Sequence, residues 1–224
     1  MKNPIRRFYE FLDRPIFPVG RGLLALLIIP LVLAFTVPLW RITLNAPQYP
    51  EGLTLDITTQ GFRAGNNGQH LTEINMLNHY IGMHEISEQA IPDLGWMPFA
   101  IGLLMLLTLR VAAIGHVRDL IDLSVISIYT LGFFGARFVY KLYVYGHDLN
   151  PEAPVTVQPF TPAIIGSKQI ANFTTHSWPQ LGTLYMSLFV GGLLAITAWH
   201  LIAGRRAAKR RDAAARAASE APAT

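Results

Sequence analysis

The chain has 224 residues, 51% hydrophobic and only 14% charged, with a formal net charge of +4. A soluble domain carries about 25% charged residues, so the deficit points to a membrane protein, and the basic residues sit beside apolar runs instead of forming a nucleic-acid-binding patch. Cysteine is missing, which excludes disulfides, iron–sulfur clusters and covalent c-type haem attachment, and leaves His, Met, carboxylate and carbonyl as possible metal ligands.

In chain order, residues 1–21 are a basic segment in which Phe8 to Leu12 reads as a short interfacial helix. Residues 22–41 read as a first transmembrane helix, uncharged from Gly22 to Trp40 and kinked at Pro30 and Pro38. A long loop, 42–95, follows. Asn45 to Gly52 is turn chemistry, and Leu53 to Thr58 alternates as a half-buried strand does. Gly65-Asn66-Asn67-Gly68 predicts a turn, with a second strand through His70 to Thr72 pairing back. Leu71 to Glu85 predicts a helix capped by Thr72.

Residues 96–115 predict the second transmembrane helix, 116–119 a tight turn and 120–145 the third. The last ends in an aromatic band that contains Arg137 and Lys141. The 146–180 loop is rich in proline, with an extended edge segment at Ala153 to Val157 and His176 near its end. Residues 181–203 predict the fourth span, with Ser187, Gly191 and Ala195 as a small stripe that admits another helix. Residues 204–224 form a basic tail. The expected fold is therefore a membrane all-α protein: a four-transmembrane-helix bundle with a small mixed α/β periplasmic cap.

Basic residues crowd both termini and Arg118 lies in the 116–119 turn, while the only Lys or Arg in 42–95 is Arg63 and in 146–180 is Lys168. The positive-inside rule then places both termini in the cytoplasm of a bacterial inner membrane and both long loops in the periplasm.

Two groups of residues have chemistry to offer. On a helix, Met76, His79, Tyr80 and Met83 share one face, and Met with His suits a soft metal such as copper. The same spacing also serves plain core packing. His176 is a further outer histidine, whereas His116 and His200 lie near the inner interface and read as incidental. Arg137 and Lys141 lie four apart at the outer bilayer edge, where a cation needs a partner. They read as a clamp on the loops, with Glu73, Glu85, Glu88, Asp93 and Asp148 as candidate partners, or as an anion or quinone head-group site. There is no P-loop, dinucleotide motif, His-Glu-x-x-His or Gly-x-Ser-x-Gly, so an enzyme is not expected.

Ala46-Pro47-Gln48-Tyr49-Pro50-Glu51-Gly52-Leu53, Ile74-Asn75-Met76-Leu77-Asn78-His79-Tyr80-Ile81-Gly82-Met83 and Ile170-Ala171-Asn172-Phe173 resemble segments of small bacterial inner-membrane proteins. Those proteins are associated with copper-dependent respiration, including nitrous-oxide reductase maturation. The resemblance implies Met76, His79, Met83 and His84 as copper contacts. The expected function is a non-enzymatic accessory protein that binds or delivers copper, with a membrane or periplasmic protein partner. The alternative is a structural or quinone-contacting subunit of a membrane respiratory complex.

Overall fold

A computed structural model describes residues 9–170 and 172–220, with side chains through Arg206. Lys2, Arg6, Arg7, Phe8 and Ala171, the side chains of Lys209, Arg210, Arg211 and Arg216, and the final four residues lie outside the described residues. Of the expected interfacial helix, residues 9–12 are helical.

The chain begins with two short helices, α1 (Pro18–Leu26) and α2 (Ile28–Leu33). Three strands follow: β1 (Trp40–Ala46), β2 (Tyr49–Thr58) and β3 (Gly61–Ala64). After a 3-10 turn at Asn66–Gly68 come α3 (Gln69–Tyr80), α4 (Asp93–Ile114) and α5 (Val117–His147). The chain closes with β4 (Gly166–Ile170), β5 (Phe173–Pro179) and α6 (Leu181–Glu220).

This is not the expected all-α four-helix bundle. One end of the molecule is a five-stranded antiparallel sheet of order β3-β2-β1-β5-β4, and among the described residues three helices, not four, are long and apolar enough to cross a membrane. They are α4, α5 and the Leu181–Arg206 part of α6.

The predicted first span fails for local reasons. Its helix starts earlier, at Pro18, which suits the first helical position. It breaks at Leu27, because Pro30 has no N–H to bond back one turn. It stops at Leu33, with the Ala34 and Phe35 amides closing the last turn. The 16-residue piece Pro18–Leu33 spans only about 24 Å at 1.5 Å per residue, short of the ~30 Å hydrocarbon core. Pro38 then blocks any restart, and Trp40, Ile42, Leu44 and Ala46 alternate as a strand instead.

β1 is the centre of the sheet. On one side it pairs with β2, Ile42 opposite Leu55, and on the other with β5 from the second long loop, Ile42 opposite Ser177. Both loops thus close into one sheet at one end of the helices. Arg41 holds Asp56 through Nε and Nη2 at 2.6 and 2.7 Å across the β1–β2 pair, and these bonds raise the pKa of the guanidinium above its ordinary value. Beneath the sheet, Leu44, Leu53, Leu55, Ile74, Ile170 and Phe173 form one buried core with α3. Each such side chain stabilises the fold by about 1.5–3 kcal/mol relative to exposure.

Three smaller expectations shift. The strand that pairs back on β2 is β3, before the Gly65–Gly68 turn rather than after it. α3 begins at Gln69 behind Gly68, not at a Thr72 cap, and ends at Tyr80 because Gly82 turns with φ +81°. The small stripe of Ser187, Gly191 and Ala195 is exposed. The close approach falls instead at Gly192 against Leu27 and Gly182 against Pro38.

A second core, among the apolar helices, includes Leu24, Leu31, Ile101, Leu104, Leu120, Phe189 and Leu193. Between α5 and α6, Ser124 Oγ and Thr197 Oγ1 lie 2.8 Å apart. Between membrane helices such bonds add of order 0.6–1 kcal/mol to what close packing supplies.

Candidate functional site: a chamber under the sheet and a cleft beside it

Between the face of the sheet that packs on α3 and the sheet-proximal halves of the helices lies an apolar chamber of about 350 Å³. That is within the range of about 300–1,000 Å³ used by small-molecule sites. Ile42, Leu44 and Leu55 of the sheet face Leu131, Phe134 and Phe138 of α5 across it. Trp40 joins these two walls: its ring packs on Phe138 at 5.0 Å, and its Nε1–H donates to Ser177 Oγ at 2.8 Å. The chamber forms because a sheet that twists cannot lie flush on a helix end, and small residues such as Gly135 leave the gap unfilled.

One side of the chamber is a strap of chain, residues 85–93, laid along α5. Three α5 side chains at successive four-residue spacing hold it. Arg137 Nη2 meets Asp93 Oδ2 at 2.8 Å, Lys141 Nζ donates to the Ala90 carbonyl at 3.0 Å, and Tyr145 Oη donates to the Glu85 carbonyl at 3.1 Å. Arg137 and Lys141 therefore tie the strap to α5, Arg137 through the Asp93 carboxylate and Lys141 through a backbone carbonyl. Both side chains also line the chamber. Among the described residues, Lys141 has no carboxylate partner.

The chamber holds one polar group that sequence reasoning passed over. Asn78 is 3% exposed, lines the chamber and has a buried amide nitrogen with no hydrogen-bond partner. An asparagine four residues after the core residue Ile74 carried the signal, since i and i+4 share a face and Ile74 is fully apolar.

A polar cleft of about 460 Å³ adjoins the chamber, and Met83 lines both. His79, His84 and Asp148 also line the cleft. His84 Nε2 sits 2.9 Å from Asp148 Oδ2, and its ring meets Tyr145 edge-on at 6.3 Å. Three of the five proposed metal residues thus share one cleft. Met76 and His176 are not among its walls. Met76 is 66% exposed on α3, and His176 lies on β5 with Nδ1 at 2.5 Å from Ser167 Oγ. Among the described residues, no three His, Asp or Glu side chains gather as a metal centre.

His116 and His200 both make structural hydrogen bonds. His200 is buried, accepts the Phe17 amide on Nε2 at 3.2 Å and donates from Nδ1 to the Ile196 carbonyl at 2.8 Å. His116 caps α5, with its own amide donating to Asp119 at 2.8 Å.

No known protein family, characterised protein or solved structure matches the chain.

Proposed function

We propose that this protein is a membrane-embedded lipophile-binding protein, which takes a lipophilic molecule from the outer leaflet into the chamber beneath its sheet and holds it there unchanged. The chamber carries the reading: an apolar cavity of ligand size at the seam between apolar helices and a folded cap, with Arg137 and Lys141 on its wall. Apolar walls with a few placed polar groups are the usual make-up of a small-molecule site. This reading develops the quinone-contacting alternative.

The setting we propose is a bacterial inner membrane with the sheet outside. Arg21 reaches the Ala113 carbonyl, Arg118 opens α5, and Arg205 and Arg206 close the apolar part of α6. All four lie at the helix ends away from the sheet, where positive-inside logic places the cytoplasm.

Native mass spectrometry of the detergent-purified chain tests the function. One saturable equivalent of an added monoacylglycerol or decyl-quinone is expected. Adducts that rise without saturation would indicate lipid on the outer helix surface and sink the proposal.

The cleft supports a second reading, copper accessory function, because His79, Met83 and His84 line it together and Asp148 orients His84. Cu(I) loading under reducing conditions is expected to give one copper per chain in the parent and none in a folded His79→Ala/Met83→Ala variant. Absence of copper from the parent would end this reading and leave the chamber reading intact.

A further inference from the structure

Resting on the chamber reading, we infer that the chamber's ligand carries a carbonyl oxygen on an apolar body, and that Asn78 is the residue that reads it. Asn78 is 97% withdrawn from solvent and its amide nitrogen has no partner. A buried donor left unmade is unfavourable in its own right, and an apolar residue of the same size would fit a helix–sheet core without that cost. The amide is therefore there for something that enters.

Three hydroxyls on the chamber wall have their protons already engaged. Thr175 donates to the Lys168 carbonyl, Thr183 to the Leu39 carbonyl and Tyr145 to the Glu85 carbonyl. An internal water needs two to four polar partners, and the core around α3 offers mostly aliphatic and aromatic carbon. A carbonyl needs one good donor and brings its own apolar frame, so it matches the chamber better than water does. The same wall holds Arg137, Lys141 and Asp93, one positive charge in excess, which also favours an electron-rich head over a cationic one. A charged carboxylate would accept a stronger hydrogen bond from the amide, but taking its charge out of water into an apolar chamber costs more than that bond returns, so a neutral carbonyl is the better match.

Two sources offer that chemistry, an acyl ester and a quinone, and the experiment separates them. Binding of 1-monooleoylglycerol, of its ether analogue 1-O-oleylglycerol and of decylubiquinone is measured on the full chain in detergent, for the parent and for Asn78→Leu. The parent is expected to bind a carbonyl-bearing probe about tenfold more tightly than Asn78→Leu does, a difference of about 1.4 kcal/mol. The ether should bind both forms alike. A gain confined to the ester names an acyl lipid, and one confined to decylubiquinone names a quinone.

A structural amide would change the melting temperature without changing the ester-to-ether ratio. If Asn78→Leu does not fold, Asn78→Ala removes the amide without adding bulk, and the parent's own ester-to-ether ratio still decides. Equal binding of ester and ether, with quinone affinity indifferent to position 78, overturns the inference and leaves the chamber reading standing. Failure of every probe to bind the parent overturns both.

Discussion

Single side chains set the entry and exit of several elements, and His200 is the clearest. Its two ring nitrogens are used in opposite senses, one accepting from the amide before α1 and one donating within α6, which fixes the neutral tautomer and joins the first helix to the last. His200→Leu keeps the volume but leaves the Phe17 amide unpaired, and should cost about 1–3 kcal/mol. Thermal melts beside His116→Ala, whose ring is half exposed, should show the larger loss at His200. Gly82 is comparable at the other end of the molecule. At φ +81° an added Cβ would also come 2.7 Å from the Asn150 carbonyl. Gly82→Ala should destabilise by about 1–3 kcal/mol and loosen the His79–Asp148 cleft, seen as faster hydrogen exchange over residues 148–153. Arg41 behaves differently. The Asp56 hydrogen bonds raise its pKa in the folded chain, so its contribution is complete below the unfolded value and is lost only as pH rises through the higher folded value. Circular dichroism of the strands should therefore stay flat in its response to this group up to pH 10.

At the scale of elements, legibility followed the kind of signal each stretch carries. α4, α5 and the apolar part of α6 were readable from length and hydropathy alone, to within a few residues. The 53–58 part of β2 was readable from its alternation, while residues 49–52, with their proline and glycine, read as a turn but belong to the strand. β1 had the same alternation in Trp40, Ile42, Leu44 and Ala46, but its first two residues fall at the end of the apolar run 22–41 and its last two in the turn chemistry of 45–52, so the pattern is split between a helix and a turn; Pro38 was the sign that the helix had ended. β5 could not be read that way, because the side chains it buries include Thr175 and Ser177 as well as Phe173. Its place was set by pairing with β1, a contact between the two loops that no local pattern encodes. The strap was half legible. Arg137 and Lys141 announced a clamp, but Tyr145 completes it through a backbone carbonyl, which leaves no mark in the sequence. If the three side chains hold the strap as a unit, Lys141→Ala/Tyr145→Phe should raise hydrogen exchange across 85–93 severalfold while α5 itself stays protected. Uniform loss of protection along α5 would show instead that they support the helix.

Taken as a whole molecule, the chain places a sheet with its own core directly on helices long and apolar enough to cross a membrane. The two cores obey different physics. The sheet's core is held by removal of apolar surface from water, and the helices by close packing and a few polar contacts. The chamber lies at their seam, where neither rule demands complete filling, and its walls come from stretches far apart in the chain, which is why it left no motif to find. That origin supplies a clean test. Gly135 sits on the chamber wall in mid-helix, and an added Cβ there would meet no atom within 4 Å. Gly135→Leu should therefore fold, with stability unchanged or raised by roughly 0.5–1 kcal/mol from better helix propensity. It should also lose the bound lipophile, because the new side chain occupies the space the ligand needs. A chamber that serves only as slack between two packing regimes would show the first effect without the second: a firmer protein with the same lipid content by native mass spectrometry.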